Sequence, residues 1–273
     1  MNADHVLLTF GLAAYALAAI LYLLAFPKVK EQRARLANAA FVLFWGATGA
    51  MTVVLASAYF CLFDLPCTSR PFSGILLVAT ISWLTILAYY VFKMRLLGTF
   101  VAPIATLILL IEFFTLPTGG HSAASAPSVF LMFHIATAVI GEAFAICACA
   151  VAILYLMQQR VIKTKQISLL TALAPSLDKL DTALFICLWT GFLFITIGLV
   201  TGAVSVILYS TGNRPGIEWK ILWAMVVWGW YLAILLAKNT FNFSGRRIAG
   251  MCLAGFLLLA ICFFGLYPWG GLA

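Results

Sequence analysis

Charge is what this sequence has least of. Sixteen Lys and Arg and eight Asp and Glu make up only 9% of 273 residues, against roughly 25% in a soluble domain. So little charge cannot cover a water-soluble surface. Common catalytic signatures are missing too. No GxxxxGK[ST], GxSxG, HExxH or CxxC occurs, so nothing supports a nucleotide-hydrolysing, serine-hydrolase or zinc-protease reading. Histidine occurs three times.

What is present is apolar. Hydrophobic residues are 65% of the chain and the mean hydropathy is +1.12. A hydrocarbon core about 30 Å thick needs about 20 apolar residues per helical crossing. Eight such runs are legible, at roughly 5–26, 38–60, 71–93, 97–116, 127–157, 183–210, 219–237 and 248–267. The fold class is therefore all-α, a polytopic transmembrane helix bundle of about eight spans, and residues 1–273 form a single integral membrane domain. The first run follows only Met-Asn-Ala-Asp, with no basic region before it, and reads as a retained span.

Basic residues alternate from loop to loop. Lys28, Lys30, Arg33 and Arg35, then Lys93 and Arg95, then Arg160, Lys163, Lys165 and Lys179, then Lys238, Arg246 and Arg247 fall on one side. Only Arg70, Arg214 and Lys220 fall on the other. The positive-inside bias puts the first set in the cytoplasm and both termini outside. The net charge of +8 thus reads as a topology signal and not as a nucleic-acid surface. One inner connection is long. Gln158–Lys163 continues the fifth helix inward, Pro175 breaks the chain, and Ser176-Leu177-Asp178-Lys179 reads as a capped helix start.

Few residues can carry chemistry. His5, His121 and His134 all fall toward the outer side, and a neutral imidazole ligates haem iron and other transition metals. Glu142 lies mid-span, where an ionisable group is costly and a functional suspect. It is eight residues beyond His134, about 80° around the helix and 12 Å along it, so the two can line one cavity without touching. Cys61 and Cys67 bracket a short outer loop and form a candidate disulfide, while five other cysteines sit inside spans as small hydrophobes. Trp219, Trp223, Trp228, Trp230 and Tyr231 crowd the seventh span. Trp228 and Trp230 lie too deep for a headgroup belt and suit a flat apolar ligand. Gly198-x-x-x-Gly202 permits close helix approach, though such pairs are frequent in apolar segments.

The second half, about residues 130–265, resembles the cytochrome c assembly family of polytopic haem-handling membrane proteins, which includes CcsA, CcmC and HemX. Several stretches carry the resemblance in order: Phe133-His134-Ile135, Tyr155-Leu156-Met157-Gln158, Pro175-Ser176-Leu177-Asp178-Lys179-Leu180-Asp181, Gly191 to Gly202, Lys220-x-x-Trp223-x4-Trp228-x-x-Tyr231, and Gly245-Arg246-Arg247. The PSLDKLD stretch points to the HemX-like branch. The resemblance implies non-covalent b-type haem on the outer side, with His134 ligating the iron and Trp219, Lys220, Trp223, Trp228 and Tyr231 around the ligand. It implies partners among cytochrome-assembly or haem-biosynthesis proteins, a bacterial cytoplasmic membrane, and no enzyme in the usual sense. The chain departs from the pattern in three places, one of them Glu142, which stands where the pattern has an aromatic residue. The family's Trp-Asp core reads Gly216-Ile217-Glu218-Trp219-Lys220, and the tail after the last span holds no histidine. A second axial ligand is His5, His121 or none. Two alternatives stay open: a membrane regulator of glutamyl-tRNA reductase acting through loop 158–182, and a thiol-redox or transport protein centred on Cys61/Cys67 or Glu142.

Overall fold

In lipid no water satisfies the backbone, and a helix closes all its hydrogen bonds within one segment. A chain this apolar therefore resolves into helices. The computed structural model describes residues 3–25, 30–59, 70–94, 96–115, 129–164, 175–209 and 217–265, and among them there are eight helices and no strand. They are α1 (Ala3–Ala25), α2 (Lys30–Tyr59), α3 (Arg70–Phe92), α4 (Leu97–Thr115), α5 (Val129–Thr164), α6 (Leu177–Tyr209), α7 (Ile217–Asn239) and α8 (Gly245–Gly265). Seven of them, α1 to α7, are long and apolar enough to cross a membrane; α8, 21 residues long, carries Arg246 and Arg247 in its first turn.

The helices run past the expected spans where the sequence is polar but still helix-forming. α2 begins at Lys30, and α5 carries through Gln158–Lys163 to Thr164. α6 starts directly after Ser176, whose carbonyl receives the Leu180 N–H at 3.1 Å. Threonine hydroxyls inside the helices turn back on their own helix. Thr48, Thr80, Thr85, Thr106, Thr137 and Thr196 each donate to the carbonyl four residues earlier, so these six hydroxyl hydrogens are satisfied within their own helix.

The chain divides into two compact units, residues 1–127 and 128–273. In the first, α1 packs on α2 and α4, and α3 packs on α4 and α2, so the four helices close a ring. Its interior is full. Tyr15, Phe44, Met51, Ile75 and Ile81 are buried, and the Tyr15 ring meets Phe44 edge-on at 5.4 Å. The Tyr15 hydroxyl lies 2.8 Å from Ser82 Oγ and 3.2 Å from Thr48 Oγ1. Thr48 gives its single hydrogen to the Phe44 carbonyl at 2.7 Å. It must therefore accept from Tyr15, and Ser82 must donate to Tyr15. The result is a directed chain of hydroxyls across α1, α2 and α3. Glu112 on α4 is also buried here, its side chain lying against Gly74 of α3.

In the second unit α5 packs on α6 and α8, and α7 packs on α6 and α8, again closing a ring. The α5–α6 pair is the most extensive contact, and small residues allow it. A Cβ on Gly198 would come within 3.3 Å of the Ala138 backbone, and one on Gly141 within 2.9 Å of the Ile195 nitrogen. Near one end of the ring, Lys238 of α7 pairs with Asp181 of α6 at 2.6 Å. The α7–α8 turn passes through Asn242 at φ 48°, a left-handed conformation that asparagine tolerates.

Candidate functional site

The α5–α6 contact also places the only described histidine ring. His134 lies five residues into α5, where the partner surface on α6 is Gly198 and Gly202. Its Nδ1 sits 2.8 Å from the Gly198 carbonyl oxygen. The ring lies directly over Gly202, where a Cβ would fall 2.7 Å from Cε1 and 2.9 Å from Nδ1. Only glycine leaves that space.

Beside the ring is a cavity of about 310 Å³. His134, Ala138 and Glu142 line it from α5, and Ile195, Gly198, Leu199, Gly202, Ala203 and Val206 from α6. Ile221, Ala224 and Val227 of α7 and Leu259 of α8 complete it. Its walls are aliphatic, with an imidazole and a carboxyl as their ionisable groups. Ala203 is exposed, so the cavity reaches the outer surface of the unit. Glu142 stands two helical turns past His134, and among the described residues no cation pairs with it. This arrangement sets one imidazole, a side chain able to ligate a metal, and one carboxyl, a side chain able to hydrogen-bond, along one apolar cavity. Among the described residues no three His, Cys, Asp or Glu side chains cluster as a bare-metal site.

The other sequence candidates are spread differently. Trp228 does not line the cavity. Its Nε1 donates to Thr196 Oγ1 at 3.0 Å and its ring stacks on Phe192 at 5.7 Å, so it ties α7 to α6 behind Ile195. Trp230 turns to α8 and donates to the Met251 carbonyl at 3.0 Å. Tyr231 is buried inside the unit, and Trp223 is half-buried outside the lining. His5, Trp219 and Lys220 lie on described helices, but their side chains lie outside the described residues, as do His121, Cys61 and Cys67 altogether. Cys147, Cys149, Cys187 and Cys252 are free thiols.

Sequence reasoning missed the seat of the imidazole. Gly198 and Gly202 were legible as a packing pair only, because one small-x-x-x-small stretch says nothing about its partner. The missing signal was the matching stripe on α5, Ala138, Gly141 and Ala145, placed three and four residues apart with His134 one turn before it.

A family model described as Cytochrome C assembly protein matches residues 70–273. A cytochrome c biogenesis protein CcsA of Guillardia theta is 28% identical over 199 residues, covering 64% of this chain and 64% of that protein. Proteins of the same name from Prochlorococcus marinus, strains MIT 9312 and MIT 9215, are 32% and 33% identical over 92 residues, covering 32% of this chain and 28% of theirs. The chain thus spans less than two thirds of the length of these relatives.

Proposed function

The chain belongs to the cytochrome c assembly protein family, and on that footing we propose that it is a haem-handling membrane protein acting in cytochrome c biogenesis. The observation that carries the proposal is the cavity beside His134, which joins a ligating side chain to an apolar slot. The residues present fit a haem held by one axial ligand. The space over Gly202 is what the imidazole occupies, the walls suit a porphyrin face, and the opening at Ala203 lets a flat group lie partly outside a cavity at the small end of the usual range. When bound, haem would supply an iron for the imidazole to coordinate.

His134 would hold the ligand, and the α5–α6 contact would orient His134. The aliphatic side chains of Ile195, Leu199, Val206 and Val227 would exclude water from the bound face. Glu142 would offer a hydrogen bond farther along the slot. His134 lies near the N-terminal end of α5, which by the positive-inside bias would face outward, and the membrane we propose is a bacterial cytoplasmic one. That location suits delivery of haem to a cytochrome assembled outside.

The test is a spectrum. Purified in detergent and reconstituted with haem, the chain should show a Soret band, and His134→Ala should abolish or strongly shift it while the thermal midpoint stays close to that of the unsubstituted chain. No haem-dependent absorbance after reconstitution removes the proposal.

A further inference from the structure

We propose that the Gly198 carbonyl and the bare face of Gly202 are positioning elements that hold His134 in its Nδ1–H tautomer, leaving Nε2 as the nitrogen with a lone pair to give. The purpose of this device rests on the haem-handling reading above; its existence does not.

A backbone carbonyl can only accept a hydrogen bond. A ring nitrogen 2.8 Å from it must therefore carry the proton, and a neutral imidazole has only one. The lone pair is then on Nε2, and among the described residues Nε2 has no partner of its own. This is the second-shell arrangement in which metal-ligating histidines are found, one N–H donated to a carbonyl and the other nitrogen turned to the metal.

The acceptor is fixed in place and left free to accept. Gly198 packs so closely on Ala138 that a Cβ would be 3.3 Å from both Cα and N of that residue, so the carbonyl is fixed by a backbone-to-backbone contact. The Thr201 hydroxyl also reaches the Gly198 oxygen, at 3.1 Å, but lies closer to the Ile197 oxygen at 2.8 Å. The Gly198 oxygen thus keeps a lone pair for the imidazole. One feature keeps the ring in place. A methyl at Gly202 would overlap Cε1 and Nδ1, the very edge that makes the hydrogen bond. Alanine there must push Nδ1 off the carbonyl, and the tautomer would no longer be chosen.

The experiment uses the full chain in detergent, free of haem, with ¹⁵N-labelled histidine, at a pH where the rings are neutral. Three histidines give three pairs of resonances, and His134→Gln identifies the pair in question. The expected result is a protonated Nδ1 and an unprotonated Nε2, with Gly202→Ala changing that pair to the opposite tautomer or to a mixture. An Nε2–H signature for His134 in the unsubstituted chain overturns the proposal, and so does an Nδ1–H signature that survives Gly202→Ala unchanged. Should Gly202→Ala not fold, the spectrum of the unsubstituted chain still decides. In a second readout, haem affinity should fall about tenfold to a hundredfold in Gly202→Ala, the usual cost of losing a second-shell partner. A correct tautomer without any Soret band supports the seat and sinks the haem reading instead.

Discussion

The two units are built alike and filled differently. Each is a closed ring of four helices with the same order of neighbours, first on second and fourth, third on second and fourth. The first packs its interior with Tyr15, Phe44 and Met51 and spends its hydroxyls on one another. The second keeps its tightest contact between α5 and α6, and beside it leaves a cavity holding an imidazole and a carboxyl. Lipid tails are as apolar as a helix core, so such bundles are held by close packing and hydrogen bonds and not by escape from water. The first unit uses both for cohesion. The second sets part of both around that cavity.

The largest expected effect tests that difference directly. Tyr15→Ala removes a fully buried ring and strands the Ser82 hydroxyl, and should cost about 3–5 kcal/mol in unfolding free energy. His134→Ala removes one hydrogen bond beside an existing cavity and should cost about 1 kcal/mol. Reversible unfolding in mixed micelles, read by circular dichroism, measures both. Equal losses would mean that the imidazole is a core residue like the phenol, and the contrast between the units would fail.

A matched pair of insertions sharpens it. Ala18 is fully buried in α1, and Ala18→Phe should overpack the first unit at about 1–3 kcal/mol. Ala224 faces the cavity from α7. Ala224→Phe has void to enter and should change stability by less than about 1 kcal/mol, while the Soret band of the reconstituted protein falls. If Ala224→Phe destabilises as much as Ala18→Phe and leaves the spectrum alone, the cavity is not a binding site.

Much of this is legible in the sequence, and the reasons are physical. Hydropathy locates each of the eight described helices, because crossing length is imposed by the bilayer and not by neighbours. The eight-residue step from His134 to Glu142 put both on one cavity because helical periodicity alone fixes their relative position. The partners were not legible. The sequence reads Trp228 as facing a flat ligand but cannot name its neighbours Phe192 and Thr196, because only the register of α6 against α7 decides those. Gly202 likewise gains meaning only when α5 is laid across it. Residues whose role depends on a second helix cannot be read from the first.

The smallest effect concerns the charged clasp of the second unit. Lys238 Nζ lies 2.6 Å from Asp181 Oδ2, with the side chains 18% and 39% exposed, and the ammonium also sits 5.5 Å from the Phe185 ring centre. The pair joins the start of α6 to the end of α7, the two ring neighbours with the least contact. It is open enough to water for its attraction to be largely offset by hydration and screened by salt. Lys238→Met should therefore cost no more than about 1 kcal/mol, with the loss shrinking as salt is raised. It should leave the Soret band in place, since the clasp lies near the end of the unit away from His134. A loss as large as that of Tyr15→Ala would show the second ring to be held by charge where the first is held by packing. The cavity would then be a consequence of a loose bundle rather than of the close α5–α6 contact.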